Sequence, residues 1–121
     1  MNKYTGLSDF EINKAAFHKA KIKYKYFRFL PNGVITYNTK GKYQVFDSCN
    51  NPADAMPIII ENDIDLLNGE NMMPELFGHH SAYTLHNFNT PIAADSLKED
   101  KTIYRLGMEV FLMKKDAESN Q

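Results

Sequence analysis

Residues 22–46 place the tightest limit on the fold. Ile22, Tyr24 and Tyr26 alternate with Lys23 and Lys25, the period of two expected of a strand. Pro31-Asn32-Gly33 follows as a turn signal: proline presets one dihedral and glycine accepts a positive φ. Val34-Ile35-Thr36-Tyr37 resumes a β-rich composition, Asn38-Thr39-Lys40-Gly41 turns again, and Tyr43-Gln44-Val45-Phe46 closes the block. This pattern predicts a three-stranded antiparallel meander.

Helical signals surround it. Ser8 and Glu11 fit a capping box, with Leu7 and Ile12 at the positions of a hydrophobic staple. Asp9 and Glu11 put negative charge in the first turn, where the helix dipole favours it. Ile12, Ala15, Ala16 and Ala20 form a modest apolar stripe, and the helix is expected to end near Lys19–Lys21. A central helix is expected from Asn51 as N-cap, with Pro52 at its first position and Asp54 beside it. Met56, Ile59 and Ile60 are its expected buried face, and Pro57 predicts a kink or an end near Glu61. Ile64–Leu67 and Ser81–Asn87 read as strands, residues 70–80 as loop, and Pro91–Leu97 as a helical turn. Ile103, Leu106, Gly107, Val110 and Met113 recur at helical spacing after a cap at Thr102 or Asp100. The expected fold class is α+β. An antiparallel sheet of about four to six strands packs with an N-terminal, a short central and a C-terminal helix. The chain reads as a single domain over 1–121, frayed at 117–121.

Composition narrows the setting. A chain of 121 residues is one domain, and 43% apolar with 24% charged residues argues against general disorder. Cys49 stands alone, so no internal disulfide forms. The start MNKYTGLSDF lacks the apolar run of a signal peptide, and the longest apolar stretches are about four residues. The cytoplasm of a reducing cell is the expected location. The formal charge of −1 conceals a split: residues 1–46 carry nine Lys/Arg and two acids, and residues 47–121 carry five and thirteen. A basic face for an anionic partner is one reading, and compensation across one folded domain is the other.

Three groups of residues raise chemistry. Asp47, Cys49 and Asn50, with Asn51 and Asp54, form the densest polar cluster. A thiol or an anion at a helix N-terminus is the functional reading; caps satisfying their own amides around a packed Cys49 is the structural one. His79, His80 and His86 suggest a metal, but adjacent residues on an extended chain point to opposite sides. No metal and no cofactor is expected. Lys21, Lys23, Lys25, Arg28 and Lys42 interleave with aromatics and are candidate nucleic-acid contacts. Tyr24 and Tyr26 share a strand face with Arg28, so a stacking platform needs one face left open. Asp63 and Asp65 could share a strand face, which without a placed base or metal is weak support for catalysis. No catalytic residue is expected, and the sequence contains no GxGxxG, Walker-type loop or HExxH.

Three blocks together resemble the NinX-like family of small proteins from lambdoid phages and prophages. They are Leu7–Lys14, then Phe46–Ala55 with Pro57-Ile58-Ile59, and Arg105 with Met108 and Val110–Met113. Met56 stands where the pattern has tryptophan, and Gly107 where it has alanine. The resemblance implies a small α/β sandwich-like fold and an early phage product in the bacterial cytoplasm, with no established activity. The function expected is therefore a non-enzymatic accessory module that binds a host or phage protein. Weak nucleic-acid binding by the strands around residues 21–43 is the alternative. No membrane partner is expected, and a free sheet edge would permit a homodimer.

Overall fold

The computed structural model describes residues 3–20, 27–31, 34–39, 41–68, 80–86, 90–95 and 101–119. Its elements are α1 (Asp9–Lys19), β1 (Phe27–Phe29), β2 (Ile35–Thr39), β3 (Lys42–Phe46), α2 (Pro52–Glu61), β4 (Asp65–Asn68), β5 (His80–His86), β6 (Thr90–Asp95) and α3 (Ile103–Ser119). The class is α+β with antiparallel pairing throughout. The described strands divide into two sheets, β1-β2-β3 and β4-β5-β6, where one sheet was expected. The reason lies in α3. Arg105–Leu112 are all buried, so this helix needs cover around its whole circumference, and one sheet covers only one side of a helix. Sheet β4-β5-β6 packs on α3, and α1 and α2 also pack against it. Those two helices carry the first sheet in turn: Phe17 of α1 meets Phe46 edge-on at 5.3 Å, and Asp54 of α2 accepts from the Tyr37 hydroxyl at 3.0 Å.

The local signals at the helix starts hold. The Ser8 side chain accepts from the Glu11 amide at 3.2 Å, and the Glu11 carboxylate accepts from the Ser8 amide at 2.9 Å. Asn51 caps α2 by accepting from the Ala53 amide at 3.0 Å. Thr102 caps α3 by accepting from the Arg105 amide at 3.0 Å. The meander also forms, with Tyr37 opposite both Phe27 and Gln44. Ile22, Tyr24 and Tyr26 lie outside the described residues, as do 70–79 of the expected loop.

Two further expectations change. Residues 90–95 are the edge strand β6, not a helical turn. Proline is tolerated on an edge, and Ile92 and Ala94 turn inward while Ala93 is exposed, the period of two. The buried face of α2 is Asp54, Ala55, Ile58 and Ile59, and Ile60 is exposed. Asp54 decides that rotation, because its carboxylate is anchored by the Tyr37 hydroxyl and the Asp47 amide. The described part of α3 runs to Ser119.

Candidate functional site

The polar cluster seen in the sequence is a joint between α1 and the turn that leads into α2. Its centre is Asn13, a buried α1 residue that sequence reasoning did not single out. The Asn13 side-chain carbonyl accepts from the Ser48 hydroxyl at 3.1 Å and the Cys49 amide at 3.0 Å. Its amide donates to Asp47 at 3.1 Å. Asn50 donates to both Asp47 oxygens at 3.1 Å and to Asp9 at 3.2 Å. The Cys49 carbonyl accepts from the Thr102 hydroxyl, which ties the same turn to the start of α3. Asp47, Cys49 and Asn50 do come together, and each bonds to scaffold groups.

A second network adjoins it. Arg105 Nε donates to Glu109 at 2.9 Å and Nη1 to Asp9 at 2.7 Å. Nη2 donates to the carbonyls of Tyr4 and Leu7, at 3.1 and 2.6 Å. Lys101 adds a bond of 2.9 Å to Glu109. Burial acts to lower the Arg105 pKa, but the bonds to Glu109 and Asp9 outweigh it and raise the value. A depression of about 400 Å³ opens beside this network, lined by Thr5, Asp9, Asn50, Lys101 and Arg105 among others. Its two cations are each paired with a carboxylate.

The thiol fits the structural reading. Cys49 is fully buried. Burial pushes its pKa well up, and the charges of Asp9 and Asp47 push it further, against a smaller opposing pull from Arg105. Activated thiols are depressed in pKa and accessible, and Cys49 is neither. His79 lies outside the described residues, and His80 and His86 stand at opposite ends of β5. Among the described residues no three His, Cys, Asp or Glu side chains converge as metal ligands. Asp63 sits in a left-handed turn with φ 55° before β4, so Asp63 and Asp65 are not neighbours on one regular strand.

The basic and aromatic residues are partly placed. Lys21, Lys23 and Lys25 lie outside the described residues. Arg28 and Lys42 are exposed on β1 and β3. The sheet has a clear polarity of faces. Phe27, Ile35, Tyr37 and Phe46 are on the inner face, with Phe17 against Phe27 and Phe46. Arg28, Thr36, Tyr43 and Val45 are on the outer one, where Arg28 lies over the Tyr43 ring at 4.5 Å. Tyr43 is 46% and Val45 54% exposed, and Phe10 of α1 is 50% exposed. Phe10, Val34 and Val45 share a depression of about 400 Å³ where β2 begins and β3 ends, beside the start of α1.

Comparison with protein-family models, curated proteins and solved structures gives no match. Among the described residues no helix is long and apolar enough to cross a membrane.

Proposed function

We propose that this chain is a non-enzymatic protein-binding module, and that the outer face of the β1–β3 sheet with its β3 edge is the contact surface. The observation that carries the reading is the grouping of Tyr43, Val45 and Phe10, all about half exposed, on one strand and the helix beside it. Scattered exposed apolar residues are ordinary, whereas a grouped set on an uncovered face is a feature of interaction sites. The polar joint and the Arg105 network support the same reading from the other side, since their groups are engaged in holding elements together. The three NinX-like blocks fall on the α1 cap, the polar joint and the buried face of α3, which are scaffold positions. On this reading the chain is a phage accessory protein working in the host cytoplasm. The test is capture from infected cells with nuclease treatment, comparing the natural bait with Val45→Lys. A protein retained after nuclease and lost with the variant supports the reading; equal retention by both baits overturns the assignment of this face.

Nucleic-acid binding is the second reading, favoured by one observation: a guanidinium and an aromatic ring stack on the open face. It requires binding that weakens with added salt and that Arg28→Ala reduces. No salt-dependent binding at low ionic strength removes it.

A further inference from the structure

Among the described residues the two sheets have four outer strands, and three of them are poor templates for further pairing. β1 is three residues long, β4 is four residues long and opens on Asp65, and β6 contains Pro91, which lacks an amide. β3 differs. It is a five-residue strand, KYQVF, with neither proline nor glycine. Among the described residues its backbone bonds only to β2. An unpaired edge of this kind presents amides and carbonyls ready for another strand.

We propose that β3 pairs with β3 of a second copy of this chain, antiparallel and centred on Gln44, joining two three-stranded sheets into one of six strands. This rests on the protein-binding reading of the same surface and names its partner. Two features favour self-pairing over a foreign strand. The first is apolar complementarity. Centring on Gln44 sets Tyr43 opposite the second copy's Val45, and Val45 opposite its Tyr43. Two aromatic–β-branched pairs thus form on the open face, a favourable cross-strand combination.

The second feature is charge. Lys42 begins the strand, and the Arg28 guanidinium reaches over Tyr43 next to it. Neither has a carboxylate within ion-pair distance among the described residues. Asp47 follows the strand at the other end, and its carboxylate accepts from the amides of Asn13 and Asn50, with no cation on it among the described residues. Antiparallel pairing lays the basic end of each strand beside the acidic end of the other. A lysine on an edge strand commonly guards against association; here a second copy supplies the opposite charge. The interface is isologous, so a twofold axis through Gln44 closes it at two copies. Its modest extent makes a concentration-dependent dimer the expectation.

The test is light scattering of the full chain from the low micromolar to the near-millimolar range, with amide hydrogen exchange at both ends of it. The expected result is a mass rising from 13.9 kDa toward twice that value, with the outward-facing Tyr43 and Val45 amides gaining protection while those of Gln44 and Phe46 are already bonded to β2. Val45→Lys is expected to restore the monomer mass at every concentration with an unchanged circular dichroism spectrum. High salt is expected to lower the dimer fraction. A constant monomer mass with exchange independent of concentration overturns the proposal. So does a dimer that survives Val45→Lys with unprotected β3 amides. A monomer whose β3 amides become protected only when a captured foreign protein is added also overturns self-pairing, while leaving the protein-binding reading intact.

Discussion

Arg105 and Cys49 show how a buried polar residue is accommodated here. Arg105 is almost entirely removed from water, and Glu109, Asp9 and backbone carbonyls of residues 4–7 replace its hydration. Removing one member of a buried charged network leaves the others without compensation. Arg105→Ala is therefore expected to destabilise the fold by about 3 kcal/mol, read by urea denaturation. Lys101 still neutralises Glu109 in that variant, so a loss at the lower end of the range is expected. Cys49 is the opposite case, a thiol held neutral by its surroundings. Its reaction with an aromatic disulfide reagent in the native protein is expected to be slow and to accelerate with denaturant, since the reactive form is reached only on opening. Fast, denaturant-independent labelling would show an accessible thiolate instead. The dense polar run around Cys49 was legible in the sequence. Its hub was not, because Asn13 lies 36 positions from Cys49 and carries no local signature.

At the scale of elements, the contact between α2 and α3 turns on Gly107. A Cβ there would lie 2.8 Å from Ile59 Cδ1 and 3.0 Å from Cγ1. Glycine in a helix interior costs about 1 kcal/mol relative to alanine, and the close approach of the two helices explains its use. Gly107→Ala has two opposing effects: a propensity gain of about that size, and overpacking against fully buried Ile59, which costs roughly 1–3 kcal/mol. The second is expected to prevail, giving a net loss of about 1 kcal/mol. Ile59→Val deletes the closer atom, Cδ1, and keeps Cγ1, so Gly107→Ala is expected to be less destabilising in that background. A double-mutant cycle in urea measures the coupling; additive effects would show that the helices separate freely. Helix starts, turns and the meander were readable because caps and turn residues act over a few positions. The α2 face was not, since Ile60 and Ile59 are equally apolar and the choice belongs to Asp54 and its partners Tyr37 and Asp47.

The whole molecule is fastened at its two ends. Arg105 binds Asp9 and the 4–7 backbone, the Tyr4 hydroxyl donates to Asp116, and Lys3 pairs with Asp116 at 3.2 Å. Burial acts to raise the pKa of Asp9 and Asp116, but bonds from Arg105 and Asn50 to the first, and from Tyr4 and Lys3 to the second, lower both overall. A lowered folded value contributes stability above the unfolded carboxylate range, near pH 4, and that stability is lost as pH falls through the folded value. Tyr4 behaves inversely. Burial and then Asp116 raise its pKa, so stability is lost as pH rises past the unfolded phenol value of about 10. Cys49, also raised, begins the alkaline loss near pH 8.5. Thermal melts are expected to show a plateau between these limits. Asp9→Asn should flatten the acid limb, and Tyr4→Phe the limb above about pH 10; unchanged limbs would refute the end-to-end fastening.

Taken alone, the amino-acid order determined the α+β class, the three helices, their caps and the antiparallel meander, because each depends on residues within a turn or two of one another. Tertiary structure decided the division into two sheets, the strand at 90–95, the rotation of α2 and the union of Arg105 with Asp9, which are 96 positions apart. The physical reason is that burial is a property of the assembled neighbours. A helix buried on every side, such as α3, must be covered by distant elements, and a buried charge must find its partner among them.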